Sequence, residues 1–253
     1  MKRSILLITA LCALLVIAAP LAAQGDGPVG STVKIVTSDQ VVLVGTLYQS
    51  GEQAQPGALL LHMMGRSRSD FQALARELGA RGIACLAIDL RGHGESTQRI
   101  GEHPAELDYR RFTNDDFAGM LLDVRAARSF MTEHPMIQGN AVMIVGASIG
   151  ANAALVYTAQ HGGVRGLALL SPGLDYRGLT TQGAVTELRD CRLLLAAAQD
   201  DEYSARTVQR LKESAQVDAE LLLYPAGGHG TRLLQNRPEL FARLVEFITR
   251  TLQ

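Results

Sequence analysis

The run Ala141-Val142-Met143-Ile144-Val145-Gly146-Ala147-Ser148-Ile149-Gly150 decides how the rest of this chain is read. Its first five residues are apolar without alternation, the pattern of a strand buried on both faces. Ala151-Asn152-Ala153-Ala154-Leu155 follows and opens a helix rich in small residues. Between strand and helix lies a G-x-S-x-G pentapeptide centred on Ser148. A serine held on so tight a turn adopts strained dihedrals and presents its hydroxyl above the sheet edge. The flanking glycines have no side chain to collide with strand or helix. The helix N-terminus directs amide N–H groups and the positive end of its dipole at any oxyanion formed there. A bare pentapeptide of this kind also fits an ordinary turn with a capping serine. The strand before it and the helix after it favour a nucleophile.

Working outward, further apolar runs of strand length lie at Thr32–Val36, Val41–Tyr48, Ala58–Leu61, Ala84–Ile88, Gly166–Leu170, Arg192–Ala198 and Glu220–Tyr224. Thr37–Gln40 is short enough to join the first two as a hairpin. Helical periods fill the gaps. Phe71, Leu74, Ala75 and Leu78 repeat at helical spacing behind Asp70, a candidate cap, and Gly79 and Gly82 mark the end. Asn114 is a candidate cap for a helix over Asp115–Met131, stopped by His134 and Pro135. Pro238 opens a last helix to Leu252, with Phe241, Leu244, Val245, Ile248 and Leu252 on one face. Strands alternating with helices predict a doubly wound α/β sheet with an antiparallel start, in one domain over residues 32–253. Ser171–Asp190, punctuated by Pro and Gly, is too short for a cap domain.

A serine hydroxyl needs a base, and the base needs an orienting acid. Of six histidines, His229 stands in Gly227-Gly228-His229-Gly230, just beyond the last apolar strand. A loop at the carboxyl end of a sheet strand is where such a fold places working residues. The preceding strand ends in Gln199-Asp200-Asp201-Glu202, and Asp201 is the expected acid, with Asp200 as the competing register. The oxyanion donors are then the N–H of Ile149, directly after the nucleophile, and that of Met64 in the loop after the third strand.

These separated features together resemble the α/β-hydrolase superfamily over nearly all of Val33–Gln253. Gly146–Gly150 looks like its nucleophile elbow, and Ser148…Asp201…His229 follows its chain order. His62-Met63-Met64-Gly65 is similar to its H-G-x-G oxyanion loop, with Met63 where glycine is usual. Asp89-Leu90-Arg91-Gly92-His93-Gly94-Glu95-Ser96 looks like its D-x-R-G-x-G-x-S segment, which is structural, so His93 is not the base. The resemblance implies a mostly parallel eight-stranded sheet in the order 1-2-4-3-5-6-7-8, with helices on both faces. The short Ser171–Asp190 connection is similar to nearly lidless carboxylesterases and dienelactone-hydrolase-like serine hydrolases. It implies acyl transfer from a short-chain carboxylic ester through an acyl-enzyme on Ser148, in an open pocket with Met63, Leu174 and Tyr176 against the substrate. A peptidase or an acyltransferase would use the same residues. A non-enzymatic exported binding protein on this scaffold is the reading from another class.

Composition narrows the partners. With 24 basic and 25 acidic side chains, formal charge -1, and aromatics at 5% with no Trp, neither a phosphate-backbone surface nor a base-stacking platform is expected. No HExxH or paired-cysteine spacing suggests a metal, and no cofactor is required. Lys2 and Arg3 precede an apolar run from Ile5 to Ala19, followed by Pro20-Leu21-Ala22-Ala23. That is the layout of a secretory signal over 1–23, cut near Ala23, and the run is shorter than the roughly 20 residues that span a bilayer. Residues 24–31 read as a leader, and the mature protein is expected to be exported and not embedded in a membrane. Cys85 and Cys191 belong to or adjoin strands that the fold keeps apart, so both are expected as free thiols.

Overall fold

The computed structural model describes residues 28–253; the expected export signal over 1–23 lies outside the described residues. Strands form at β1 (Ser31–Val36), β2 (Val41–Tyr48), β3 (Gln55–Leu61), β4 (Ala84–Ile88), β5 (Gln98–Arg99), β6 (Ala105–Glu106), β7 (Ile137–Ala147), β8 (Gly166–Leu170), β9 (Asp175–Tyr176), β10 (Leu179–Thr180), β11 (Arg192–Ala198) and β12 (Ala219–Tyr224). Four of the long ones (β2, β4, β8 and β11) coincide with the apolar runs residue for residue. β7 is longer than the run that announced it: Ile137 already pairs with Gln55, ahead of a register shift, and the strand continues to Ala147 beside Ser148. Ser31, counted in the leader, already pairs with Leu47 in β1.

The main sheet runs β12-β11-β8-β7-β3-β4-β2-β5-β6, with β1 beside β2. Its eight long strands stand in the expected order. The two-residue strands β5 and β6 extend it to ten, and neither carries an apolar run that would announce it. From β4 to β12 the long strands pair in parallel, while β2 is antiparallel to β4. Parallel register aligns Leu61 with Gly146, Ala147 with Leu170, and Ala198 with Tyr224. The carboxyl ends of β3, β7, β8, β11 and β12 therefore share one edge of the sheet.

Successive strand residues point to opposite faces, so the apolar runs feed two cores. Leu59, Leu61, Leu86, Ile88, Val142 and Ile144 pack on one face with residues of α3 (Met120–Glu133), α4 (Ile149–His161) and α6 (Glu202–Ser214). Ala58, Leu60, Cys85, Ala87, Met143 and Val145 pack on the other with α1 (Gln72–Ala80), α7 (Thr231–Asn236) and α8 (Pro238–Leu252). Two short helices, α2 (Asn114–Ala118) and α5 (Gln182–Thr186), complete the set. Coverage on both faces is what removes the need for alternation within each strand.

Helix boundaries depart from expectation where side chains found other partners. Asp70 does not cap α1: it lies in a 3-10 turn over Arg68–Phe71, and its carboxylate takes a forked pair of bonds from Arg66. Thr113, not Asn114, caps the next helix, in a reciprocal capping box with Asp116. That helix breaks at Gly119 into α2 and α3. Pro238 opens α8 as expected.

The Asp89–Ser96 segment is a structural clasp. Asp89 accepts from the backbone of Arg68 (2.7 Å) and Glu95 (2.9 Å), and Ser96 Oγ accepts from Val44 N–H (2.8 Å). Arg91 is buried between Asp123 (2.8 Å) and Asp39 (2.7 Å). Cys85 and Cys191 are free and buried on β4 and just before β11, with three other strands, β3, β7 and β8, between β4 and β11 in the sheet. Burial raises both thiols above the ordinary cysteine range, the Cys191 thiol to about 11. Among the described residues no helix is long and apolar enough to cross a membrane.

Candidate active site

β7 delivers Ser148 to the sheet edge in a conformation that L-residues rarely adopt, φ 54° and ψ −119°. The strained turn is held from both sides. Ser148 N–H donates to Leu170 O on β8 (2.8 Å), and Ser148 O accepts from Ala151 N–H (2.9 Å) and Asn152 N–H (3.1 Å) in α4. The flanking glycines are required by proximity. A Cβ on Gly146 would stand 2.4 Å from Gly150 O, and one on Gly150 would stand 2.5 Å from Leu61 O and 2.6 Å from His62 O. Both neighbours are backbone and cannot swing aside. Gly150→Ala is therefore expected to lower stability by about 1–3 kcal/mol, the usual cost of overpacking, measured as a drop in urea midpoint. An unchanged midpoint would mean that α4 does not sit against β3 as closely as described.

His229 and Asp201 reach Ser148 from the two strands at the end of the sheet. Asp201 follows β11, and its carboxylate lies 2.6 Å from His229 Nδ1. His229 Nε2 lies 2.7 Å from Ser148 Oγ. Asp201 also caps α6, accepting weakly from Ser204 N–H at 3.5 Å. Burial alone would raise its pKa, but the bonds from His229 and Ser204 prevail and hold the carboxyl below its usual range. An ionised carboxylate only accepts, so Nδ1 carries the imidazole proton, and Nε2 is left to accept from the serine hydroxyl. The arrangement can draw a proton from Ser148 and stabilise the imidazolium that results.

The loop bearing His229 is pinned along its length. Both carboxylate oxygens of Asp200 accept backbone N–H bonds from Gly227 and Gly228, at 3.0 to 3.2 Å. These bonds lower the Asp200 pKa. Gly230 N–H donates to the buried Ser171 Oγ (2.9 Å), and Thr231 Oγ1 donates to Asp70 Oδ2 (2.5 Å). The two adjacent aspartates thus divide the work: Asp201 faces the imidazole and Asp200 faces the backbone that carries it. The tasks of Asp200, Ser171 and Asp70 were not read from sequence. A polar residue placed directly after an all-apolar strand, as Ser171 is after β8, was the available signal.

The remaining expected residues are divided. Neither the Met64 nor the Ile149 N–H donates to a described residue, so both amides stand free beside Ser148's turn and the loop after β3. The Ile149 side chain is fully buried in the core and cannot line a pocket. Met63 is half-buried, and its sulfur accepts from Thr231 Oγ1 (3.4 Å) and packs where a Gly230 Cβ would stand. It props the His229 loop, which accounts for a bulky residue at this position. Leu174 is half-buried in the chain leading to the β9–β10 hairpin. Tyr176, on that hairpin, meets His229 edge to face with ring centres 6.1 Å apart. His62 and His93 are both buried and structural: Leu90 N–H donates to His62 Nε2 (3.0 Å), and His93 stacks on Tyr109 at 4.0 Å. Burial pulls the His93 pKa down to about 4. A recess of about 560 Å³ adjoins the Met64–Gly65 turn, and its lining is polar, including Arg66, Ser69, Thr97, Glu106 and Arg110.

Residues 53–189 match the sequence family described as serine aminopeptidase, S33. The match takes in the His62–Gly65 loop, the Asp89–Ser96 clasp and Ser148, and ends before Asp201 and His229. No curated protein sequence matches the chain. Among solved structures the chain is similar to a dienelactone hydrolase from Anabaena variabilis, with TM-score 0.71 and 21% identity over 90% of this chain and 100% of that one. It is also similar to an esterase from Pyrococcus furiosus, with TM-score 0.69 and 19% identity over 89% of this chain and 94% of that one. An acetyl xylan esterase from a Paenibacillus species gives TM-score 0.72 and 16% identity over 92% and 86%. These three share the fold.

Proposed function

We propose that this chain, which belongs to the serine aminopeptidase S33 family within the α/β-hydrolase superfamily, hydrolyses short-chain carboxylic esters through an acyl-enzyme on Ser148. The observation that carries the reading is the continuous relay Asp201–His229–Ser148, at 2.6 and 2.7 Å, ending on a serine held in a strained turn. Ser148 Oγ attacks the ester carbonyl carbon while its proton passes to His229 Nε2. The carbonyl oxygen becomes an oxyanion, received by the free N–H groups of Met64 and Ile149. His229 returns the proton to the departing alkoxy oxygen, the C–O bond breaks, and an alcohol leaves. Water, deprotonated by the same imidazole, attacks the acyl carbon, and the carboxylic acid departs as the proton returns to Ser148.

A small acyl group is favoured by the surroundings. Ser148 is only 6% exposed, and the β9–β10 hairpin sets Tyr176 close over the relay. The similar solved structures include an esterase and an acetyl xylan esterase, which supports an ester in place of an amide. The family's description favours a second reading, release of an N-terminal residue from a peptide, because an amide would pass through the same two steps. We further propose that the protein acts after export, on the strength of the signal read over residues 1–23.

A panel of acetate and butyrate esters beside alanine p-nitroanilide tests the reading. Ester turnover should exceed anilide turnover and should be indifferent to a chelator. The acid limb of the pH–rate profile should have a slope of one. Asp201 is held ionised below its usual range, so it adds no second protonation to that limb. Faster anilide turnover would transfer the chain to the peptidase reading.

A further inference from the structure

The His229 loop has to cross the sheet edge to reach its partner. It leaves β12, and Ser148 follows β7, three strand spacings or about 14 Å away. Tethers meet the loop in turn along that path. Asp200, after β11, takes the Gly227 and Gly228 N–H groups, and Ser171, after β8, takes the Gly230 N–H at 2.9 Å. Both stand on the β12 side of Ser148. On the far side, after β3, Thr231 Oγ1 donates to Asp70 Oδ2 (2.5 Å). Thr231 is buried, and the Asp70 side chain is only 4% exposed.

The same carboxylate is bound to the loop that carries the Met64 amide. Arg66 forks onto Asp70, with Nε 3.0 Å from both oxygens and a terminal nitrogen 2.7 Å from Oδ1. Arg66 N–H donates to Met63 O (3.2 Å), and His62 Nδ1 donates to the same oxygen (2.8 Å). Met63 O and Met64 N–H belong to one planar trans peptide and point opposite ways. Bonds that fix the carbonyl therefore fix the direction of the amide. Burial alone would raise the Asp70 pKa, but the bonds from Arg66 and Thr231 prevail and hold the carboxyl below its usual range. Ionised, it accepts from both loops at once.

We propose that Asp70 is a positioning residue, whose carboxylate ties the far end of the His229 loop to the loop after β3. The tie sets the base and the Met64 amide at fixed places about Ser148. The proposal rests on the acyl-enzyme reading of Ser148, and Asp70 itself touches no reacting atom. Without the Thr231 bond, the Asp200 and Ser171 bonds hold the loop from the β12 side alone, and His229 Nε2 draws back from Ser148 Oγ. A misplacement of about 1 Å at such a contact costs roughly a hundredfold in rate. The loss falls on kcat, because the base acts in the transition state and not in holding the ester.

The test is a double-mutant cycle in the full chain, with Thr231→Val, Asp70→Ala and the two combined. Each is assayed on p-nitrophenyl acetate, beside a urea melt and a fluorophosphonate probe. Either single variant, shown to be folded under the assay conditions, should lose about 10- to 100-fold in kcat, with KM changed about threefold or less. The combined variant should lose no more than about threefold beyond the slower single, because the two side chains act as one tie. Thr231→Ser, which keeps the hydroxyl, should recover most of the rate, and the probe should still attach to Ser148 in every variant. The comparison of Thr231→Val with Thr231→Ser decides the matter even where Asp70→Ala does not fold. Undiminished kcat in folded Thr231→Val, losses that multiply in the combined variant, or a Thr231→Ser loss equal to that of Thr231→Val would overturn the proposal and leave the Ser148 reading standing. Wild-type protein that neither binds the probe nor cleaves the ester would overturn both.

Discussion

Ser148→Ala should lower turnover of a short acyl ester by about a millionfold while leaving the protein folded. Removing the nucleophile of a triad costs about as much as removing all three members, because base and acid then have nothing to activate. Residual turnover would come from water attacking an ester held near the Met64 and Ile149 amides, a far slower route. The fold should be indifferent. The Ser148 backbone bonds to Leu170, Ala151 and Asn152 do not involve the side chain, and alanine meets the same conformational strain at φ 54° that serine does. Steady-state kinetics and a urea melt, run together, check both halves of the expectation.

Asp201→Asn should lower turnover by about ten-thousandfold, against a loss of less than about tenfold for Asp200→Asn. The difference follows from which atoms each carboxylate meets. Asp201 accepts the Nδ1 proton of His229, and an amide in its place can present N–H there, turning the imidazole to the tautomer that cannot accept from serine. Asp200 accepts two backbone N–H groups at the exposed edge of the same loop, and asparagine keeps one oxygen for them. Its loss loosens the loop without changing the proton's position. If Asp200→Asn were the damaging change, the register across Gln199–Glu202 would be one residue away from that described.

Much of this was legible because the decisive signals are local. The apolar runs at Val41–Tyr48, Ala84–Ile88, Gly166–Leu170 and Arg192–Ala198 became strands without change. Burial on both faces leaves a parallel strand no freedom of composition. Ser148, Asp201 and His229 could be placed because each lies in the turn or loop that follows such a strand, and parallel pairing delivers all those ends to one edge. What could not be read were choices among long-range partners. Asp70 looked like a helix cap, but Arg66 and Thr231 are its partners, the second of them 161 residues away. That Met63 packs against Gly230 and props the His229 loop likewise joins residues far apart in the chain. For Tyr176 the sequence supports only an expected place on the substrate side. Its place against His229 depends on a hairpin of two-residue strands, too short to show any periodicity.

The most direct test of the account is intact-protein and peptide mass spectrometry after treatment with a fluorophosphonate probe. One adduct per chain is expected, carried by the peptide containing Ser148, and none on Ser148→Ala protein that is shown to be folded. An adduct on another residue, or labelling that survives Ser148→Ala, would contradict it.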